Sequence, residues 1–378
     1  MKALLSLLLM MVPLLGRTYT ITIVDAGDRA PVIGGSVLAA NGIIIGFTDG
    51  DGAIEVTSRD FPLSIRSLGY ETALVATAAA GDTIALTPAV YLLQELDVNP
   101  ADRPVSRVLA YCREYSTGAT ATDTMQLYSE YMLEFFNAAD GVKGFNKSHR
   151  HAATRAMRRY GRLANNAGLD SVLCPTDDDD ISMLAFAPMM VTFPFKNLRE
   201  TDSISNGLCM TDTIPGKYGP LLVCRKNSNL YTLDYDGLAE YKDHTWTPWF
   251  FKMFGLTMEM QKADRRLAYA VNDRGRYTPA DFVMGAYNIR VLGRGRVLKK
   301  ILGIKSDILI DCFIEFYPVE IEYLTVDEYR EIKKDYKHRE ADFAYPATVM
   351  PLPASVAGLV DRVAAGVTGA VDTTVGAR

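Results

Sequence analysis

Residues 36–57 read SVLAANGIIIGFTDGDGAIEVT, a series of short apolar runs separated by turn-forming residues. Asn41-Gly42 lies between the first two runs, and Asp49–Gly52 lies between the second and the third. An Asn-Gly pair tolerates the positive φ angles of a type I′ hairpin turn. The stretch therefore predicts three consecutive short strands that are joined by tight turns.

The same pattern extends to both sides of this stretch. Tyr19, Ile21 and Ile23 alternate with threonines, as they do in a strand with one buried face. Further β-type runs follow at 63–68, 72–76 and 83–86. About seven short strands at roughly ten-residue spacing, without a helical period, predict an antiparallel β-sandwich.

Several ordered motifs in this region resemble those of the carboxypeptidase-regulatory-like domain. They are PVIGGSV at Pro31–Val37, GFTD at Gly46–Asp49 with Gly52 and Ile54, LGY at Leu68–Tyr70 after Ile65, and LLQELDV at Leu92–Val98. That family has a transthyretin-like β-sandwich fold and is common in exported proteins of Gram-negative bacteria. The resemblance covers residues 18–100 and implies a seven-strand sandwich that acts as a stability or interaction module. It implies no peptidase activity, because that chemistry belongs to a separate zinc domain.

The first sixteen residues have the pattern of a secretory signal peptide. Lys2 precedes an apolar run from Ala3 to Leu15, and Gly16 offers a small residue for cleavage. The run is shorter than the roughly 20 residues that span a membrane. We therefore expect export to the periplasm or an outer-membrane-associated location. No later window reaches spanning length, so we expect no transmembrane segment in the mature chain.

Composition narrows the function classes. The 378 residues include 40 Lys+Arg and 45 Asp+Glu, a net charge of −5, so nucleic acid is not an expected partner. Nucleophile, zinc-protease and P-loop motifs are absent, so we predict no catalytic residue, no metal site and no cofactor. The five cysteines lack metal-ligand spacing, export would permit a disulfide, and Cys312 is expected to be a buried free thiol.

Residues 101–340 are predicted to form an α+β domain built on antiparallel sheet. Val105, Val108, Leu109 and Cys112 have helical spacing, which predicts a helix from Asp102 to near Gly118. The run 127–137 is compatible with a strand. For 151–164, a strand and a helix are both compatible with the pattern.

The second half of this domain has clearer signals. The runs 221–225 and 230–235 predict a hairpin, and Met183–Phe195 are expected to be a buried strand pair. Residues 308–316 alternate as a strand, with the apolar side in the core and Asp307, Asp311 and Glu315 on a side that faces water. Thr325–Glu328 form a capping box, which predicts a helix to about Lys337. Residues 341–378 are predicted to be a loosely ordered tail, with at most a weak helix over 359–371.

Two segments are candidate binding surfaces. Residues 244–251 contain both tryptophans, and aromatic faces can stack on sugars or lie at a partner surface, with core packing as the alternative. Residues 147–162 are strongly basic, which suits anionic glycans or lipid head groups, with a plain solvated face as the alternative. The candidate surface residues are Trp246, Trp249, Phe250, Arg155, Arg158 and Arg159.

Three apparent metal motifs are weak. Asp49–Gly52 resembles the start of a calcium loop, but the twelfth position is Asp60 and flanking helices are not predicted. Asp177–Asp180 form an acidic run, for which a solvated loop is the simpler interpretation. His149 and His151 lack a third ligand.

The sequence as a whole predicts an exported, non-catalytic binding or scaffolding protein of the cell envelope, with an envelope protein or a glycan as partner. Two alternatives stay open. One is a carbohydrate-active hydrolase with two carboxylates about 5–10 Å apart in a cleft. The other is a lipid-handling or assembly factor of the outer membrane, with an apolar cavity lined by Met183–Phe195.

Overall fold

The chain divides into two compact units, Met1–Ala89 and Val90–Arg378, and both are built from sheets. The computed structural model describes residues 18–89, 102–120, 122–138, 142–143, 152–165, 170–173, 213–226, 230–247, 255, 257–271, 281–296, 306–335, 341–346 and 349–374. This part of the chain is mainly β, and its sheets are largely antiparallel.

Residues 18–89 of the first unit contain seven strands and no helix. The strands are β1 (Thr18–Asp25), β2 (Ser36–Leu38), β3 (Ile44–Phe47), β4 (Ala53–Thr57), β5 (Leu63–Arg66), β6 (Ala73–Val75) and β7 (Thr83–Leu86). They form a three-stranded sheet in the order β4-β1-β7 and a four-stranded sheet in the order β3-β2-β5-β6. β1 and β7 are parallel, so the prediction of purely antiparallel pairing is wrong for this pair.

Both sheets of the first unit contribute to one hydrophobic core. Ile21 and Ile23 of β1 are fully buried, as the alternation with threonine predicts. Val37 of β2 and Ile65 of β5 contact the same cluster from the other sheet. Burying such side chains stabilises the fold by about 1.5–3 kcal/mol each, as an upper estimate.

The predicted turns are present, with one difference in type. The Asp49 carboxylate accepts hydrogen bonds from the backbone N–H groups of Asp51 and Ala53 at 2.9 and 2.8 Å, so this aspartate shapes a turn. The β2–β3 turn has a positive φ at Gly42 (83°) but not at Asn41, so the predicted type I′ geometry is wrong. Ala39 N–H donates to the Ile43 carbonyl, which makes the loop three residues long.

The second unit contains one ten-stranded antiparallel sheet among the residues described. Its strands are β8 (Val105–Ala119), β9 (Asp123–Ala138), β10 (Ala152–Asn165), β11 (Asp170–Leu173), β12 (Thr213–Pro215), β13 (Pro220–Lys226), β14 (Leu230–Asp236), β15 (Thr257–Ala270), β16 (Phe282–Arg294) and β17 (Ile308–Leu324). Their order is β11-β10-β9-β8-β17-β16-β15-β14-β13-β12.

Two predictions for this unit are settled by the strand assignments. The predicted helix over 102–118 is wrong, because these residues contain β8. Both faces of β8 are buried, so apolar residues occur at odd and even positions and imitate a helical period. Residues 152–165 form β10, which decides between the two interpretations left open for this segment. The strands predicted near 127–137 and 308–316, and the 221–235 hairpin, are confirmed. The prediction that Asp311 and Glu315 face water is wrong, because both side chains are about 4% exposed and pair with arginines.

The apolar face of the sheet carries the core of the second unit. It includes Cys112, Tyr131, Ile314 and Phe316, all nearly inaccessible to solvent. Gly285 lies opposite Phe316 in the ladder, and a Cβ at this glycine would lie 1.9 Å from the Phe316 ring. The absence of a side chain at position 285 is therefore required for this ring to pack.

The opposite face of the central strands is charged and also buried. Arg113 of β8 donates to the Glu315 carboxylate of β17 at 2.7 Å. Glu134 of β9 lies between two arginines, with Arg107 Nε and Arg155 Nη2 each 2.5 Å from its oxygens. We call this side the charged face.

Two helices accompany the sheet in the described part of the unit. Helix α1 (Val326–Lys334) begins at the predicted capping box, in which the Thr325 side chain accepts from Glu328 N–H and the Glu328 carboxylate accepts from Thr325 N–H. Tyr329 of α1 packs on Phe136, with ring centroids 5.4 Å apart. Helix α2 (Ala354–Thr374) contacts β10 and β11, in the region predicted to be a loosely ordered tail.

The cysteines fall into two groups. Cys112 and Cys312 are buried free thiols, as expected for Cys312, and burial raises the pKa of both. Cys224 of β13 is disulfide-bonded. Its partner lies outside the described residues.

Candidate functional site

Three exposed aromatic side chains lie on two loops at one end of β12–β15. They are Tyr218, Tyr241 and Trp246, with 41%, 40% and 37% of their surface accessible to solvent. Only two other large hydrophobic side chains of the described residues, Leu74 and Tyr345, are this exposed. The three rings, which we call the aromatic patch, are therefore a local concentration and not scattered surface residues.

Backbone hydrogen bonds fix the positions of these rings. Trp246 and Met260 of β15 exchange a pair of N–H···O bonds of 2.9 and 2.8 Å, which extends the sheet by one bridge. Tyr218 N–H donates to the Ala239 carbonyl at 2.8 Å and ties the β12–β13 turn to the loop after β14. The Tyr241 and Trp246 ring centroids are 6.2 Å apart at an angle of 43°, so the two faces form a shallow V.

Small residues allow the two loops to approach each other. Gly216 N–H donates to the Gly219 carbonyl at 2.7 Å and closes the β12–β13 turn. A Cβ at Gly216 would lie 3.0 Å from the Ala239 methyl group, which is tighter than ordinary packing. A Cβ at Gly237 would lie 2.8 Å from the Ala263 carbonyl oxygen, so only glycine fits the start of the second loop.

The loop that carries Tyr241 and Trp246 contains two unusual backbone conformations. Asp243 and His244 have φ angles of 61° and 50°, in the left-handed region that non-glycine residues rarely adopt. Each such residue costs about 1–3 kcal/mol, and such residues cluster at binding and catalytic sites.

Polar groups surround the rings. The His244 Nε2 atom lies 3.5 Å from the Asp236 carboxylate, and both side chains are partly accessible. Asp236 also accepts a hydrogen bond from Leu238 N–H at 2.8 Å, which orients its carboxylate. The Lys217 ammonium lies 5.2 Å from the Tyr218 ring centroid and covers part of one face of that ring. Hydrogen-bond donors and acceptors therefore border an apolar surface.

Two further carboxylates, those of Asp264 in β15 and Asp234 in β14, belong to the strands next to the patch. Asp264 of β15 is directly opposite Asp236 in the ladder, and its side chain pairs with Lys262 at 2.5 Å. Burial raises the pKa of Asp264, and this effect exceeds the lowering by Lys262. Asp234 pairs with Arg266 through one carboxylate oxygen, while its other oxygen is buried without a hydrogen-bond partner.

Those of the six predicted surface residues whose side chains the structure describes, Trp246, Arg155 and Arg158, do not form one site. Trp246 belongs to the aromatic patch, whereas Trp249 and Phe250 lie outside the described residues. Arg155 is buried in the ion pair with Glu134, so its charge has a structural partner. Arg158 is exposed and lies over the Phe343 ring, with 4.2 Å from the guanidinium carbon to the ring centroid. The side chain of Arg159 lies outside what is described.

Sequence reasoning missed Tyr218 and Tyr241. Both lie in turns between strands and neither belongs to an alternating apolar run, so the spacing of apolar residues gave no signal for them. Their proximity to Trp246 depends on the β13–β14 and β14–β15 pairings. The segments Met183–Phe195, Asp177–Asp180 and His149–His151, which carry other predictions, lie outside the described residues.

Over the described part of the chain, no group of three or more His, Cys, Asp and Glu side chains is arranged to hold a metal ion. No helix within those residues combines the length and the apolar character needed to cross a membrane. No protein-family model matches the chain, and no curated protein matches it. The resemblance of residues 18–100 to the carboxypeptidase-regulatory-like domain therefore depends on the quoted motifs alone.

Proposed function

We propose that this chain is an exported, non-catalytic binding protein of the cell envelope and that its aromatic patch binds glycans. The observation that carries the proposal is the exposure of Tyr218, Tyr241 and Trp246 on two mutually braced loops. Aromatic faces stack on the apolar faces of sugar rings. Asp236 and His244, at the border of the patch, supply acceptors and donors for sugar hydroxyl groups.

Two observations support export. The charged start, apolar run and small residue at Met1–Gly16 have the pattern of a signal peptide. The disulfide at Cys224 is of the kind that persists in oxidising compartments and is rare in the cytosol. The periplasm or the periplasmic side of the outer membrane is the proposed location.

For the first unit we propose a transthyretin-like β-sandwich of the carboxypeptidase-regulatory-like type, with a structural or interaction role. Seven strands in two sheets around one core support this assignment. In the LGY motif, Gly69 has a φ of 90° and the Tyr70 hydroxyl donates to the buried Asp25 carboxylate at 3.0 Å. These motif residues shape and brace the fold. The second unit is proposed to be an α+β domain that carries the glycan site.

The binding proposal is tested by isothermal titration of the full chain with chitohexaose and with muramidase-solubilised peptidoglycan. We expect at least one of them to bind the unmodified protein. Trp246→Ala should weaken that binding about tenfold or more, because aromatic side chains that become buried in a complex contribute much of the binding free energy. Leu74→Ala is the control, because Leu74 is an exposed apolar residue of the first unit, away from the aromatic patch. The proposal fails if neither glycan binds, or if Trp246→Ala binds as tightly as Leu74→Ala.

A carbohydrate-active hydrolase is the second candidate, and one observation favours it. Asp236 and Asp264 are paired across the ladder, which places their Cβ atoms roughly 5 Å apart, and the raised pKa of Asp264 suits a general acid. If the chain is a hydrolase, we expect it to release new reducing ends from the same glycans, and Asp264→Asn to abolish that release. If it is a binding protein, we expect binding without release of reducing ends.

A further inference from the structure

A segment near the C-terminus lies on the charged face of the sheet without joining it. Residues 341–346 and 349–350 belong to no strand or helix. Met350 is buried, whereas Tyr345 is 55% exposed. The segment is therefore attached to the sheet through side chains and a carbonyl group, and not as an added strand.

Three side chains of the sheet hold this segment. The Arg158 guanidinium of β10 lies over the Phe343 ring at 4.2 Å and donates to the Tyr345 hydroxyl at 3.3 Å. The Tyr111 ring of β8 packs on Tyr345, with centroids 5.0 Å apart. Arg113 Nη2, beside its ion pair with Glu315, donates to the Met350 carbonyl. We call Tyr111, Arg113 and Arg158 the peptide groove.

The groove has the features of a recognition site for an extended peptide. The Arg158 guanidinium lies over the Phe343 ring, and the Tyr111 ring packs on Tyr345. An Arg113 N–H donates to the Met350 backbone carbonyl, as groups of a peptide-binding site do. The sequence of this region, ADFAYPATVMPLP at 341–353, has aromatic residues at alternate positions followed by Pro346. Its proline donates no backbone N–H, which suits a segment that stays outside a ladder.

We propose that the peptide groove is a second binding site, distinct from the aromatic patch, for an extended polypeptide with an aromatic-x-aromatic-Pro sequence. In this structure the chain's own Phe343, Tyr345 and Met350 contact the groove. A tethered ligand acts at an effective concentration of roughly millimolar, so a partner polypeptide of the same chemistry has to displace it. The chain thus carries an internal ligand for its own interaction surface.

The first test uses full-length protein and a fluorescent synthetic peptide with the sequence of residues 341–353. Phe343→Ala/Tyr345→Ala weakens the internal segment, so we expect this double variant to bind the peptide about tenfold or more tightly than the unmodified chain. Adding Arg158→Ala to the double variant should weaken peptide binding several-fold, because the cation–π contact and one hydrogen bond are lost. Circular dichroism checks that each variant is folded.

The proposal is overturned if the folded double variant binds no peptide, or if Arg158→Ala leaves its peptide affinity unchanged. A second measurement needs only single surface substitutions. In hydrogen exchange, Arg158→Ala should accelerate the amides of residues 341–345 several-fold relative to the unmodified chain while those of β9 stay unchanged. Arg330→Ala, which removes another exposed arginine from an ion pair, is the control. Equal exchange of 341–345 in both variants overturns the proposal.

Discussion

The two faces of β8 and β17 are both buried, but they are stabilised by different physics. On the apolar face, Cys112, Ile314 and Phe316 pack in the hydrophobic core, and the buried Glu114 lies opposite Ile314 in the ladder. One residue along each strand, Arg113 and Glu315 point the opposite way and form an ion pair with side chains about 4% exposed. The comparison teaches that a strand buried on both faces can place charge at every second residue, provided that each charge has a partner.

The largest expected effect comes from removing one partner on the charged face. Arg113→Met leaves the Glu315 carboxylate buried without its ion pair, so we expect a loss of about 3–5 kcal/mol in the free energy of unfolding. The double variant Arg113→Met/Glu315→Leu removes both charges and should recover most of that loss. Urea unfolding of the three proteins measures this. A double variant as unstable as the single one would contradict the compensation argument.

Truncation on the apolar face should cost somewhat less and show no such recovery. Ile314→Ala removes buried methyl groups and leaves a cavity, so we expect a loss of about 3 kcal/mol. Ile314→Val should cost only about 1 kcal/mol. The pair of variants is measured by the same urea unfolding. Equal losses for valine and alanine would show that cavity size is not the determining quantity on this face.

The ion pairs of the charged face should respond to acid. Burial raises the pKa of Glu134, but hydrogen bonds and charge from Arg107 and Arg155 outweigh it, so the net pKa is below the ordinary value. A carboxyl group with a lowered folded-state pKa stabilises the fold above its unfolded pKa, and this stability is lost as the pH falls. The stability advantage over Glu134→Gln should therefore shrink from pH 7 toward pH 3. A constant difference between the two proteins would contradict this.

The smallest effect is expected at the border of the charged face. Arg107 also pairs with Glu320 at 3.1 Å, but that glutamate is half-exposed. Glu320→Gln should change the free energy of unfolding by less than about 1 kcal/mol, because water screens such a pair. Thermal unfolding of Glu320→Gln beside Glu134→Gln compares the exposed and the buried partner of one arginine. A larger loss for Glu320→Gln would reverse the proposed ranking.

The same contrast explains which elements could be predicted from sequence. Strands with one buried face, such as β1, show alternation and are recognised, and turns such as Asp49–Gly52 identify themselves by composition. β8 has no exposed face to supply polar residues at alternate positions, and its apolar residues imitate a helix. The spacing of apolar residues along a strand does not show whether other residues cover its second face.

The sites depend on contacts between distant parts of the chain. Trp246 is recognisable as a candidate because tryptophan is rare in this sequence, which has two. Tyr218 and Tyr241 join it through strand pairing, which no local pattern encodes. The Ala-, Val- and Gly-rich sequence after 341 predicts a tail, yet Arg158 contacts Tyr345 across a separation of 187 residues.

The glycan site is tested most directly on Trp246 itself. Each of the two tryptophans gives one indole N–H resonance, and Trp246→Phe identifies the one that belongs to Trp246. We expect chitohexaose or solubilised peptidoglycan to shift this resonance progressively to saturation in the micromolar to millimolar range. An indole resonance of Trp246 that stays in place at millimolar concentrations of both glycans would contradict glycan binding at the aromatic patch.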